Sequence, residues 1–147
     1  MKTVYIYTDG ACSYNPGPGG WAAVLIYGDI KKEISGAEKD TTNNRMELLA
    51  AINGLKALKQ PCIVELYTDS AYLHDTFAKG WIWSWQKKNW TKSDKQPVLN
   101  VDLWKELLNL NSIHKINWHK VKGHSDNELN NRCDELARKA IQSLKAD

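Results

Sequence analysis

The sequence predicts an α/β fold, a mixed β-sheet covered by helices, and two observations carry that expectation. Three strand-like runs stand close together at the start, joined by short polar connections that favour an antiparallel meander. From residue 41 onward, segments with helical apolar spacing alternate with further strand-like runs, as in sheets whose strands are joined by helical crossovers. The 147 residues suit one domain, 1–147, large enough for a real hydrophobic core, and no repeat, low-complexity tract or linker divides them.

The elements follow in order. Residues 3–9 and 20–27 ("GWAAVLIY") carry the β-branched and aromatic residues that suit a pleated surface, and 30–37 form a weaker third strand. The stretch "TTNNRMELLAAINGLKAL", 41–58, places Leu48, Ala51, Ile52, Leu55 and Leu58 at helical spacing. Within it, Asn44 and Glu47 have the spacing of a capping box, with Asn44 as the cap. Residues 62–69, "CIVELYTD", are again a strand; 71–78 and 80–88 are short helices, followed by a polar loop through Pro97. A helix over 100–110 has Asn100 as its cap. A strand over 114–121 precedes a closing helix from about Glu128 to Leu144, with Leu129, Cys133, Leu136, Ala137, Ala140 and Leu144 as its apolar stripe.

Bulk properties exclude several classes. With 42% apolar and 25% charged residues the chain has ordinary globular composition, and no run approaches the roughly 18 apolar residues of a membrane span. The N-terminus lacks the apolar core and cleavage site of a signal peptide, so a cytoplasmic protein is expected. Cys12, Cys62 and Cys133 show neither zinc-site spacing nor a disulfide framework, and Cys133 reads as a reduced core thiol. The net charge of +3 is unevenly spread: residues 79–95 hold Lys79, Lys87, Lys88, Lys92 and Lys95 against Asp94 alone. Trp81, Trp83, Trp85 and Trp90 interleave with them, a combination that suits a phosphate backbone with sugar or base faces beside it. Some of these indoles must also pack into the core.

Four carboxylates point to one place. Asp9 and Asp69 each end a strand, after "YIYT" and "ELYT", and neighbouring parallel strands would deliver both to the same sheet edge. Taken singly, Asp9-Gly10 could be a hairpin turn, Asp69 a helix cap, Glu47 a capping residue and Asp134 an ion-pair partner of Arg138. Geometry favours more. Glu47 lies about 60° from the centre of its helix's apolar stripe and leans toward the sheet, with Gly54 on the same flank allowing close approach. Asp134 falls about 100° from its own stripe, at the border of core and water. With no equally placed Lys or Arg to neutralise them, four acids so arranged make sense with cations, and oxygen ligands select Mg²⁺ before Mn²⁺ or Ca²⁺. Two Mg²⁺ ions about 4 Å apart stabilise attacking and leaving oxygens in phosphodiester cleavage. His124, in "VKGHSDNE", would serve beside such a site as a proton relay.

The motifs "YTDGACSYNPGPGGWA", "TTNNRMELLAAI", "YTDSAYL", "NVDLW", "VKGHS" and "NNRCDELARKA" resemble, in order and over nearly the whole chain, ribonuclease H type 1 of the bacterial kind with a basic protrusion. The resemblance implies the ribonuclease H-like fold, a five-stranded mixed sheet of order 3-2-1-4-5 with helices on both faces. It implies an endonuclease that cleaves the RNA strand of RNA–DNA hybrids, leaving 5′-phosphate and 3′-hydroxyl ends. Asp9, Glu47, Asp69 and Asp134 are similar to residues holding two Mg²⁺ ions, with Mn²⁺ as a substitute, and His124 to a mobile residue assisting proton transfer or product departure. Cys12, Asn15, Asn43 and Asn44 align with residues touching the hybrid's minor groove, and Thr42 with part of a pocket for a DNA-strand phosphate. Trp81 with Lys87 and Lys88 resembles the basic protrusion. Ala71 stands where many relatives carry an amide reaching a base edge, so weaker groove contact without loss of chemistry is expected. A monomer with no membrane partner is expected as well. Two rivals share the fold: a non-catalytic hybrid-binding module, which would lack one of the acids, and a DNA-acting metal nuclease, which "NNRMEL" and the basic protrusion disfavour.

Overall fold

The computed structural model describes residues 1–123 and 127–145. Strands β1 (Lys2–Cys12), β2 (Gly17–Tyr27) and β3 (Ile30–Thr41) form the antiparallel meander. Strand β4 (Cys62–Thr68) joins β1 in parallel and β5 (Lys115–Lys120) joins β4 in parallel, so the sheet order is β3-β2-β1-β4-β5. All three meander strands run further than local composition predicts. Asp9 and Gly10 are no turn: they stay in the ladder, opposite Ala22 and Trp21 of β2. The parallel pairing of β1 with β4 stops at Tyr7 and Tyr67, two residues before Asp9 and Asp69. Asp9 therefore sits inside a strand rather than at its end, at the fork where one neighbour has left it. That fork opens the sheet edge.

Side-chain alternation assigns the helices to the two faces. Val4 and Ile6 of β1, Ala23 and Leu25 of β2, and Val64 and Leu66 of β4 point into the main core. They meet Leu48, Ala51, Ile52 and Leu55 of α1 (Asn43–Lys56) and Trp104 and Leu107 of α4 (Val101–Ile113). Each Val, Leu or Ile among them, fully buried, contributes about 1.5–3 kcal/mol. A Cβ on Gly54 would lie 3.0 Å from Ile6 Cγ2, so α1 packs close on β1 only because that atom is missing. On the opposite face, Ala22 and Val24 pack against Cys133 and Ala137 of α5 (Glu128–Lys145). Helix α2 (Ala71–Ala78) starts at Ser70, whose Oγ accepts from the Leu73 N–H, and leads into α3 (Trp81–Lys87).

Two caps differ from expectation. Thr42, not Asn44, caps α1: its Oγ1 accepts from the Arg45 N–H at 3.2 Å, which places Asn44 inside the first turn. Asn100 precedes α4 in the left-handed conformation (φ 59°) and makes no side-chain cap bond. Its amide is taken elsewhere, donating to the Tyr72 hydroxyl and accepting from Arg45. Arg45 also holds Asp102 through both carboxylate oxygens, at 3.0 and 3.1 Å. The start of α1 is thereby tied to α2 and α4.

The cysteines are free, and burial pushes the Cys133 thiol up to about 12, so it is an inert core group. Of the tryptophans in the basic segment, Trp85 packs edge-on against Trp104 and Trp90 leans on the core, whereas Trp81 and Trp83 remain 42% and 45% exposed. Among the described residues no helix is long and apolar enough to cross a membrane.

Candidate active site

Two strands and two helices converge on the fork between β1 and β4. Asp9 arrives on β1, Asp69 directly after β4, and Glu47 in the second turn of α1, facing the sheet. One carboxylate oxygen from each of the three lies within 4.8 Å of the others. Asp134 of α5 lines the same cavity, of about 280 Å³, with Asn130 one helical turn before it. Asp134 is not free of cations: its Oδ2 accepts from Arg138 Nη2 at 2.8 Å, across the expected i, i+4 spacing. The sequence-based expectation that no basic group neutralises the four acids is corrected at this position. The other three have no such partner among the described residues.

Electrostatics make the cluster costly when empty. Burial, then the charges of Asp69 and Asp134, push the Asp9 carboxyl up to about 8. Burial and the neighbouring Asp9 and Asp69 raise Glu47 well above its ordinary range. The Gly10 N–H opposes the shift at both carboxyls. Gly10 itself has no room for a side chain, since a Cβ would lie 2.4 Å from the Glu47 nitrogen. The strand thus comes against the helix backbone, setting Asp9 beside Glu47. The Oε1 atom of Glu47 and the Oδ1 atom of Asp69 are buried without a hydrogen-bond partner among the described residues. Buried carboxylate oxygens left unpaired, in a group of three acids, are what a hard divalent cation would satisfy. The residues fit a metal.

The other residues singled out by sequence spread over three places. Cys12 and Asn43 line the cavity with the acids. The Cys12 thiol donates to the Tyr14 carbonyl, and Asn15 Oδ1 accepts from the Asn43 N–H at 3.1 Å, fixing the β1–β2 loop against the start of α1. Thr42 and the exposed Asn44 flank the same helix start. Trp81, Lys87 and Lys88 lie apart from the cavity, on and just after α3, where Lys79 Nζ sits 5.4 Å from the Trp81 ring centre. His124 falls outside the described residues. The backbone leading to it passes against the acids, for a Cβ on Gly123 would lie 2.9 Å from Asp69 Oδ2. Four cavity residues escaped the sequence reading, Gly10, Ala11, Asn130 and Asn131. The signal for Asn130 was present in its position four residues before Asp134, on one face of the helix.

A sheet of this order, opened beside β1 and carrying a carboxylate cluster at the fork, defines the ribonuclease H-like class with a possible acidic metal site. The RNase H family model matches residues 1–142. The ribonuclease H of Caldanaerobacter subterraneus subsp. tengcongensis is 71% identical over 141 residues, covering 96% of this chain and 92% of that one. That of Acetivibrio thermocellus is 64% identical, covering 97% of both. Among solved structures, LC9-RNase H1, a type 1 RNase H with the type 2 active-site motif, matches at TM-score 0.88 and 27% identity. It covers 97% of this chain and 74% of that one. LC11-RNase H1 in complex with RNA/DNA hybrid shares the fold at TM-score 0.75 and 24% identity, covering 97% of this chain and 99% of that one. The chain belongs to the ribonuclease H family, in its bacterial type 1 form, a family of metal-dependent enzymes.

Proposed function

We propose that this enzyme hydrolyses the RNA strand of RNA–DNA hybrids with two divalent ions, Mg²⁺ by preference and Mn²⁺ as a substitute, leaving 5′-phosphate and 3′-hydroxyl ends. The observation that carries the reading is the pair of buried, unpartnered carboxylate oxygens on Glu47 and Asp69 within a three-acid group. Asp9, Glu47, Asp69 and Asp134 are the residues that would hold the ions. When bound, two such ions stabilise charge on the attacking and leaving oxygens of the phosphodiester.

The chain's own residues do the rest. The floor of the cavity is acidic, so the substrate is held from its rim. Cys12, Asn15, Asn43 and Asn44 meet the hybrid's wide, shallow minor groove, where 2′-hydroxyls are read without base specificity. Thr42 accepts the capping bond through one lone pair, and its hydroxyl proton stays available to a DNA-strand phosphate at the start of α1, where the helix dipole favours an anion. Trp81, Lys87 and Lys88 carry the electrostatic share of binding, positioning the duplex through its backbone. His124 assists proton transfer or product departure. The enzyme acts as a cytoplasmic monomer. All four acids being present disfavours a non-catalytic hybrid-binding module.

A strand-labelled hybrid incubated with and without Mg²⁺, beside RNA and DNA duplexes, tests this. RNA-strand cleavage of the hybrid alone, only with metal, is expected. Cleavage of the DNA duplex, or metal-independent cleavage, would overturn it.

A further inference from the structure

On the reading above the hybrid is gripped at two separate places, the start of α1 and the basic protrusion on and after α3. Two contacts reinforce each other only while their spacing is fixed; a loose joint lets the second one lapse. A continuous series of side chains spans the gap between them. Arg45, in the first turn of α1, reaches across to α4. Its Nη1 and Nη2 donate to Asp102 Oδ1 and Oδ2 at 3.1 and 3.0 Å, and Nη1 also donates to Asn100 Oδ1 at 3.2 Å. Asn100 directly precedes α4, where the loop of the protrusion rejoins the body of the protein. Its amide N–H donates to the Tyr72 hydroxyl at 3.0 Å, which also accepts from the Trp104 indole N–H at 3.2 Å. Trp104 in turn packs edge-on against Trp85 of α3, ring centres 5.9 Å apart. The loop is folded back on the same helix: the Trp90 N–H donates to the Trp85 carbonyl and the Val98 N–H to the Trp90 carbonyl. Both roots of the protrusion thus meet one chain of contacts that ends at Arg45.

Stability alone does not account for this arrangement. The Arg45 side chain is 30% exposed and that of Asp102 64%, and an ion pair so placed contributes little to folding. The cap of α1 uses the Arg45 backbone N–H and not its side chain. What a planar guanidinium held at three oxygens does supply is direction.

We propose that Arg45 is a positioning residue: through Asn100 and Tyr72 it fixes the basic protrusion relative to the start of α1, so that both grip one hybrid at once. The inference rests on the hybrid-cleavage reading.

The test measures kcat, KM, metal-free hybrid affinity and thermal melting for wild type, Arg45→Ala, Arg45→Lys and Tyr72→Phe, each with and without Lys87→Ala and Lys88→Ala together. In Arg45→Ala, KM rises about tenfold and metal-free affinity falls by a similar factor, as the second contact lapses. Its kcat stays within about twofold, because binding lost equally from ground and transition states leaves turnover at saturation unchanged. Arg45→Lys keeps the charge but lacks the fork that holds Asp102 and Asn100 together, so most of the rise in KM remains. Tyr72→Phe breaks the chain at its other end and raises KM likewise, which answers the question even where Arg45→Ala fails to fold.

Coupling is the decisive measurement. Replacing the two lysines weakens binding several-fold in the wild type but by less than about twofold in Arg45→Ala, whose protrusion no longer grips. Arg45 and both lysines are cations, so no direct bond couples them. A purely structural residue, or one that simply touches a phosphate, would leave the two losses additive. Additive losses, full recovery in Arg45→Lys, or a KM within about twofold of wild type in either broken-chain variant that folds overturns the proposal. So does a lysine replacement without effect in the wild type, for then there is no second contact to hold in place. A wild-type enzyme that fails to cleave the hybrid would instead overturn the underlying reading, and the two failures are distinct.

Discussion

Replacing Asp9 by Asn should make the metal-free protein more stable while abolishing its activity. Asp9, Glu47 and Asp69 bring one oxygen each within 4.8 Å of the others. At that separation, in surroundings of effective dielectric constant about 20, two carboxylate charges repel by about 3.5 kcal/mol. The folded protein avoids part of this by retaining a proton, the Asp9 carboxyl being pushed up to about 8 from an ordinary 3.8. Between those two values the unfolded chain has already lost a proton that the folded chain still binds. Metal-free stability therefore falls as pH rises through that window, by about 1.4 kcal/mol per pH unit for a single such group, and on the order of 4 kcal/mol by pH 7. Asn has no such proton to lose. With part of the gain offset by poorer packing, the metal-free melting temperature of Asp9→Asn at pH 7 should rise by about 5–10 °C, and its fall with pH should flatten. Mg²⁺ should stabilise the wild type and leave the variant nearly unmoved. Turnover should fall about a thousandfold or more, because several kcal/mol of charge stabilisation is lost with a metal ligand, while hybrid binding persists. Calorimetry from pH 4 to 8 with and without Mg²⁺, beside cleavage assays, reads all of this. A metal-free variant that melts below wild type, or turns over within tenfold of it, would refute the reasoning.

Three further outcomes follow from other sites. Replacing Lys87 and Lys88 with Ala should weaken hybrid binding and reduce its salt dependence by up to about two in the log–log slope, with little change in rate at saturating substrate; titrations at several salt concentrations read this, and an unchanged slope would remove the protrusion from the phosphate contacts. Gly10→Ala would set a methyl 2.4 Å from the Glu47 nitrogen; moving β1 off α1 should cost about 1–3 kcal/mol in urea unfolding and lower activity by displacing both acids. His114→Ala removes the acceptor for the buried Cys62 N–H, 3.1 Å from its Nδ1, at a cost of about 1–3 kcal/mol. Burial holds the His114 imidazole below its ordinary 6.5, so the unfolded chain takes up the proton first and the wild type loses stability as pH falls below 6.5. The variant should lack that part of the acid sensitivity, as denaturation at pH 5 and 7 would show.

Apolar periodicity made the architecture legible before any coordinates: Leu48, Ala51, Ile52 and Leu55 bury as their spacing requires, and the strands alternate with helices in the expected sequence. Local signals failed where two local rules competed. Asn44 looked like a cap because its spacing to Glu47 fits one, but Thr42 holds the capping bond and Glu47 is turned into the acid cavity. Asp9-Gly10 looked like a turn, but its hydrogen-bonded partners on β2 lie more than ten residues away and no local propensity reports them.

By itself, the sequence determined which residues could be strand, helix and acid, and its ordered motifs identified the family, because periodicity and motif order are properties of the chain alone. Distance was beyond it. Only the folded chain decided that three acids share oxygens within 4.8 Å, that Asp134 stands across the cavity bound to Arg138, and that the Asn130 amide is shut in beside them. Charge repulsion, burial and unmet hydrogen bonds depend on separation in space, and separation is fixed by where β4 leaves β1 and how closely α1 and α5 pack on the sheet.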